Sequence, residues 1–257
     1  MNTKVRQLVT ILFVAATIFV NTLANTLPIN GQNTGEVSDS FPIYFVPAGY
    51  VFSIWGLIYL GLIGFAIYQA FPSQREDPLQ QKIAPWVWLG SAANIAWIFL
   101  WHYERFPLTL VAMLILLASL LVVFVQISRV RAGTSRGTSR LQRWLVDIVF
   151  AVYLGWITVA TVANVSQVLY SSNWNAWGIA GPVWAAIMVA VASVLGLLML
   201  WRERSIPYTL VLLWAFIGIA VKHAGTVTAT AAWIGVAVVG AASVAAAFIK
   251  QPRLQEG

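Results

Sequence analysis

Apolar residues run along this chain in long blocks separated by short polar breaks. Eight blocks approach or exceed the roughly 17–25 residues that carry a helix across about 30 Å of hydrocarbon. They are Leu8–Leu27, Gly49–Phe71, Pro85–Trp101, Pro107–Ser128, Trp144–Leu169, Ala176–Trp201, Ile206–Val221 and Thr226–Ile249. Several breaks carry turn chemistry: Asn30-Gly31, Phe71-Pro72, Gly133 with Gly137, and Ile206-Pro207. The pattern predicts an all-α integral membrane protein with eight transmembrane helices.

Composition agrees. Of 257 residues, 60% are hydrophobic and 9% charged, against about 25% charged in soluble domains. Such a chain cannot clothe a soluble globule in charge. The positions of the charges then test the helix count. With a cytoplasmic N-terminus, the inner segments hold Lys4, Arg6, Arg75, Lys82, Arg129, Arg131, Arg136, Arg140, Arg143, Arg202, Arg204, Lys250 and Arg253. The outer segments hold only Arg105 and Lys222. One helix more or fewer would scramble that alternation, so both termini are expected in the cytoplasm. The net charge of +7 is then a topological signal, and the expected partner is a lipid bilayer, not nucleic acid. A bacterial inner or plasma membrane is the expected location.

The first block has a basic start but ends in Leu23-Ala24-Asn25-Thr26-Leu27-Pro28, without a small-x-small cleavage site, and reads as a retained helix. The segment Pro28–Pro47 is the longest outer loop. It carries Glu36 and Asp39 and ends in Phe41-Pro42-Ile43-Tyr44-Phe45, so it is either disordered or a lid.

Chemistry is scarce. There is no Cys, and His102 and His223 are the two histidines. Nucleophile, base and carboxylate do not converge, so no catalytic residue and no metal ligand is assigned, and an enzyme is not expected. Asp147 is expected to pair with the Arg140–Arg143 cluster. Lys222 and His223 end the seventh span, where an amine can snorkel. What the spans do hold is amides and rings. Asn21 and Asn25 share a face of the first span, Trp55 and Tyr59 of the second, and Asn94 and Trp97 of the third. Tyr153, Trp156, Ala160, Asn164 and Gln167 form a stripe on the fifth. Gly56, Gly61 and Gly64 would allow close helix approach. Seven tryptophans (Trp86, Trp88, Trp101, Trp144, Trp174, Trp177, Trp201) fit the interfacial belt. Trp55, Trp97, Trp156, Trp184, Trp214 and Trp233 lie deeper. Two readings stand side by side: interhelical packing, or a pocket for a flat apolar ligand walled by rings and oriented by a few polar groups.

These residues also resemble a known family. Pro47-Ala48-Gly49-Tyr50-Val51-Phe52-Ser53-Ile54-Trp55-Gly56-Leu57-Ile58-Tyr59 resembles the second-helix signature of the TspO/MBR family, the tryptophan-rich sensory proteins related to the translocator protein. Asn94-Ile95-Ala96-Trp97 is similar to its third-helix motif. Tyr153-Leu154-Gly155-Trp156 with Ala160 and Asn164 is similar to its fifth-helix motif. The sequence departs from the pattern at Ala48, which replaces the second of paired prolines, and at Val152, which replaces a proline before the fifth-helix Tyr. The resemblance covers residues 1–172. It implies a five-helix core, followed at 173–257 by three additional transmembrane helices and a short cytoplasmic tail. It also implies binding of porphyrins, haem-related tetrapyrroles or sterol-like molecules, and a possible homodimer. Trp55, Tyr59, Asn94, Trp97, Trp156 and Asn164 become ligand-binding positions, joined by Tyr153 of the fifth-helix stripe. No cofactor is required. The expected function is binding or sensing of a hydrophobic small-molecule ligand. The alternative is transport or export of a small uncharged or amphipathic molecule.

Overall fold

The computed structural model describes residues 2–27, 29–133 and 139–248. Pro28, Arg136, Gly137, Ile249, Lys250 and Arg253, which enter the span and charge reading, lie outside the described residues. The elements are α1 (Thr3–Thr26), α2 (Thr34–Asp39), α3 (Ile54–Ala70), α4 (Pro78–His102), α5 (Phe106–Ala132), α6 (Arg140–Ser171), α7 (Gly181–Glu203), α8 (Ile206–Lys222) and α9 (Val227–Phe248). A 3-10 turn, Gly49–Ser53, leads into α3. The count is nine helices among the described residues, not eight, because the outer loop folds a helix of its own. Asn33 and Glu36 close a capping box that starts α2. Seven helices are long and apolar enough to cross a membrane, while α8 is apolar but only 17 residues long.

Local chemistry moves several boundaries. The third span starts at Pro78, seven residues before Pro85. The Asp77 carboxylate accepts the Leu79 and Gln80 N–H groups at 2.7 and 3.1 Å, and proline suits the first helical position. Pro85 is carried inside the helix. Gly181-Pro182 likewise opens α7. Near its start α6 contains a π-turn, Arg143–Asp147. Asp147 is buried there, its Oδ1 has no hydrogen-bond partner, and no ion pair to it forms among the described residues. The expected Asp147–Arg pairing is therefore absent.

Packing closes a five-membered ring. α1 lies on α3 and α4, α4 on α5, α5 on α6, and α6 returns to α3. α8 packs on the outside of α6, and α9 lies against α7 and α8. At the arginine-rich end, the Arg6 guanidinium donates to the Gln74 carbonyl at 2.7 Å and the Gln7 amide donates to the Gln69 carbonyl at 2.6 Å. Arg131 reaches Glu203 across 3.8 Å. The opposite end lies under residues 29–47.

Glycines set two of the contacts. A Cβ at Gly61 or Gly64 would meet Val149 at 3.0 Å or Leu145 at 2.9 Å, so α3 presses on α6 along this edge. Gly56, expected to do the same, faces nothing within 4 Å. A Cβ at Gly155 would stand 2.9 Å from the Tyr208 carbonyl oxygen, which is backbone and cannot swing aside. Gly155→Val is therefore expected to push α8 off α6 and lower stability by about 1–3 kcal/mol. Gly56→Ala is expected to be neutral or to add about 0.5–1 kcal/mol. Thermal unfolding in detergent checks the pair.

Candidate functional site

Two polar crossbars run through the middle of the ring. In the first, the Asn21 amide on α1 donates to Asn94 Oδ1 on α4 at 2.6 Å, and Asn94 Nδ2 donates to the Tyr153 hydroxyl on α6 at 3.0 Å. In the second, Trp97 Nε1 on α4 donates to Asn164 Oδ1 on α6 at 3.2 Å, and Asn164 Nδ2 donates to Thr109 Oγ1 on α5 at 2.8 Å. Thr109 passes its own proton to the Phe106 carbonyl at 2.7 Å. Asn21, Asn94, Thr109 and Asn164 are all buried. In hydrocarbon such groups must find partners on neighbouring helices. The asparagines, read from sequence as ligand-orienting groups, thus already serve each other.

Between the crossbars and the 29–47 segment lies an apolar cavity of about 60 Å³. Its walls are Phe52 and Trp55 before and on α3, Asn94, Trp97 and Trp101 on α4, and Met113 and Leu116 on α5. α6 adds Trp156, Ile157, Val159, Ala160, Ala163 and Asn164, and Thr34, Ser38, Val46 and Pro47 form the roof. The rings hold one another: Phe52 and Trp55 meet Trp156 edge-on at 5.8 and 6.1 Å, and Trp97 stacks on Trp101 at 5.0 Å. One donor is left over. Trp156 Nε1 is buried and has no hydrogen-bond partner. The volume is far below the roughly 300 Å³ at which small-molecule pockets begin.

The roof is tied down on two sides. Toward α4, Trp101 Nε1 donates to the Thr34 carbonyl at 3.2 Å, and Asn30 donates to the His102 carbonyl at 2.9 Å. His102 Nδ1 donates to the Ile98 carbonyl at 2.7 Å, which leaves Nε2 to accept from Thr34 Oγ1 at 3.4 Å. Toward α8, Lys222 forms an ion pair with Asp39, His223 Nε2 donates to the Val46 carbonyl at 3.1 Å, and the Ala48 N–H donates to the Gly218 carbonyl at 3.1 Å. Trp214 Nε1 donates to the Val51 carbonyl at 3.0 Å. Gly218 makes that seat possible, because a Cβ there would overlap the Val51 side chain.

Of the positions singled out by sequence, Trp55, Asn94, Trp97, Trp156 and Asn164 meet at this cavity. Tyr59 and Tyr153 stand behind it. Tyr59 stacks on Trp55 at 5.5 Å, and Tyr153 accepts the Asn94 bond. The other deep tryptophans go elsewhere: Trp184 meets Trp174 and Trp177, Trp233 is half exposed, and Trp214 holds the roof. Asn25 only donates back to the Asn21 carbonyl. Trp101 is the residue misread as interfacial, since it is buried in the cavity wall. Its spacing of four from Trp97 was the available signal. Lys222, at the exposed end of α8, also pairs with Asp39 of the roof.

A family model described as TSPO-like protein matches residues 7–245, so the match runs across α7, α8 and α9 as well as the ring. No curated protein and no solved structure matches the chain.

His223 is expected to make the roof sensitive to pH. Burial lowers its pKa below the ordinary 6.5; the Val46 carbonyl opposes this and Lys222 adds to it. The neutral ring is then the form that fits under the roof. Its contribution is complete above about pH 6.5 and is lost as pH falls from there through the lowered value. Hydrogen exchange at the Ala48 amide, which donates to the Gly218 carbonyl, is expected, once corrected for intrinsic rate, to rise between about pH 7.5 and pH 5. His223→Gln is expected to flatten that rise.

Proposed function

We propose, from the premise that the chain belongs to the TSPO-like protein family and is a multi-pass integral membrane protein, that it binds a tetrapyrrole or another flat, mostly apolar molecule in the capped cavity. The ligand carries a hydrogen-bond acceptor at its edge. The observation that supports this most strongly is Trp156. The side chains of Asn94, Trp97 and Asn164 are already bonded to neighbouring helices, while the Trp156 N–H is buried without a partner among the described residues. An unmet buried donor costs about 1–3 kcal/mol, and a ligand acceptor there would recover it. Ring faces from Trp55, Trp97 and Trp156 supply the apolar contact, with Tyr59 and Tyr153 fixing the Trp55 ring and the Asn94 amide from behind.

Binding requires the cavity to expand, and the roof is the part built to move. Its polar ties are single hydrogen bonds and one ion pair, beside the buried Val37, Phe45 and Val46 side chains. Acid pH and ligand would act in the same direction, since both favour the open roof. In the membrane we read eight spans, α8 being the shortest, with both termini cytoplasmic. The gathering of Arg6, Arg75, Arg131, Arg143 and Arg202 at the end opposite the roof supports that orientation. We read residues 1–172 as the ligand-binding part and 173–257 as the addition, whose helices α7, α8 and α9 buttress α6 and the roof. No covalent step and no metal enters the reading.

Titration with protoporphyrin, followed by quenching of tryptophan emission, tests it. Trp156→Phe keeps the ring but removes the donor, and is expected to weaken binding about tenfold. Trp97→Phe, which also frees Asn164 Oδ1, should weaken it at least as much. Wild-type and variant proteins that are equally unresponsive to protoporphyrin would end this proposal.

A further inference from the structure

A second, larger hollow opens on the outside of the ring, where α8 falls short. Tyr208, in the first turn of α8, lies beside Gly155. The fifteen residues of α6 from Arg140 to Leu154 therefore extend below that contact, roughly 22 Å at 1.5 Å per residue. The notch left between α3, α6 and α8 has a volume of about 510 Å³. Leu57, Trp144, Val152, Pro207, Leu210 and Trp214 are among its walls, which are almost wholly apolar. Trp214 Nε1 is already bonded to the Val51 carbonyl, and Ser53 and Trp144 bring the other polar side chains to the walls. Leu57, Trp144 and Leu210 are 59%, 60% and 55% exposed, so it faces the surroundings of the bundle and not its interior.

The two ends of the notch differ in charge. Trp144, at its lower end, follows the exposed Arg143 directly, and Arg140 is one turn earlier. Pro207 follows the exposed Arg202 and Arg204 in the α7–α8 connection. Arginine presents a fork of N–H groups matched to phosphate, and an interfacial indole marks the headgroup level.

We propose that this notch is a binding site for one phospholipid with an anionic headgroup, taken from the leaflet at the arginine-rich end. One acyl chain lies along α6 between Leu57 and Leu210, and the phosphate sits against Arg143. The site is separate from the capped cavity, and this inference does not rest on the ligand proposed there. A notch of this size left unfilled would forfeit dispersion contacts on all three walls. A flexible chain fills it without moving a helix, and the arginine cluster selects among headgroups. Each basic residue near an anionic lipid surface favours binding by about fivefold.

Native mass spectrometry of the full chain, delipidated and then offered phosphatidylglycerol or phosphatidylcholine of equal chain length, tests the site. One phosphatidylglycerol per chain is expected to be retained, at about fivefold lower lipid concentration than phosphatidylcholine. Leu57→Trp and Leu210→Trp, both at exposed positions, are expected to fill the notch and abolish that adduct while the protein keeps its unfolding temperature. If one of them misfolds, the other decides. Arg143→Gln is expected to leave an adduct but remove the preference between the two lipids. Equal retention of both lipids by the wild-type protein would overturn the proposal, as would an adduct that survives in a folded Trp variant. A wild-type dimer that Leu57→Trp converts to monomer without changing lipid retention would assign the notch to a second copy of the chain, and would overturn it too.

Discussion

A polar side chain inside hydrocarbon has only its neighbours to bond with, and this molecule is organised around that constraint. Asn94 and Asn164 lie on different helices of the ring and each links two others. Through them α1, α4, α5 and α6 share two short hydrogen-bond chains. A helix that rotated by one residue would lose its bond and strand the partner. Each interhelical bond contributes little on average, about 0.6 kcal/mol, but it fixes rotation. The hydroxyls follow the same rule differently. Thr10, Thr17, Ser119, Thr158, Ser166 and Ser193 bond back to a carbonyl four residues earlier in their own helices. Donors left over against this background are few, and the Trp156 N–H is one of them.

Much of this was legible in the residues. Length and hydropathy delimit the spans because the thickness of hydrocarbon is a fixed ruler. The motif residues Trp55, Asn94, Trp97, Trp156 and Asn164 do converge, because their spacing puts each on the inward face of its helix. What escaped depends on partners distant in sequence. Trp101 was placed at the interface by its nearness to a helix end, yet the 29–47 segment folds over it and buries it. Lys222 reads as a snorkelling amine until Asp39 is brought 183 residues back to meet it. Asp147 was expected to pair with an arginine, but the π-turn carries it inward instead. Pro85 looks like a helix start until Asp77 and Pro78 provide a better one.

The three C-terminal helices do more than lengthen the chain. α8 is seated on α6 through Gly155 and on the chain around Val51 through Gly218, two places where a side chain would separate them. Its far end supplies Lys222, His223 and the Gly218 carbonyl to the roof. Its near end stops short and leaves the notch beside Leu210. A single helix of 17 residues thus borders both hollows.

That position of α8 carries a thermodynamic consequence. The roof cannot lift without breaking bonds to α8, so the free energy of seating α8 enters the free energy of opening the cavity. Linkage makes the effect reciprocal. On the proposed reading, in which an occupant needs the roof raised, whatever holds the roof to α8 more firmly weakens occupancy of the cavity, and an occupant weakens that hold by the same factor. On that reading the C-terminal helices are the arm of a balance, with the aromatic cavity on one side and the surrounding bilayer on the other.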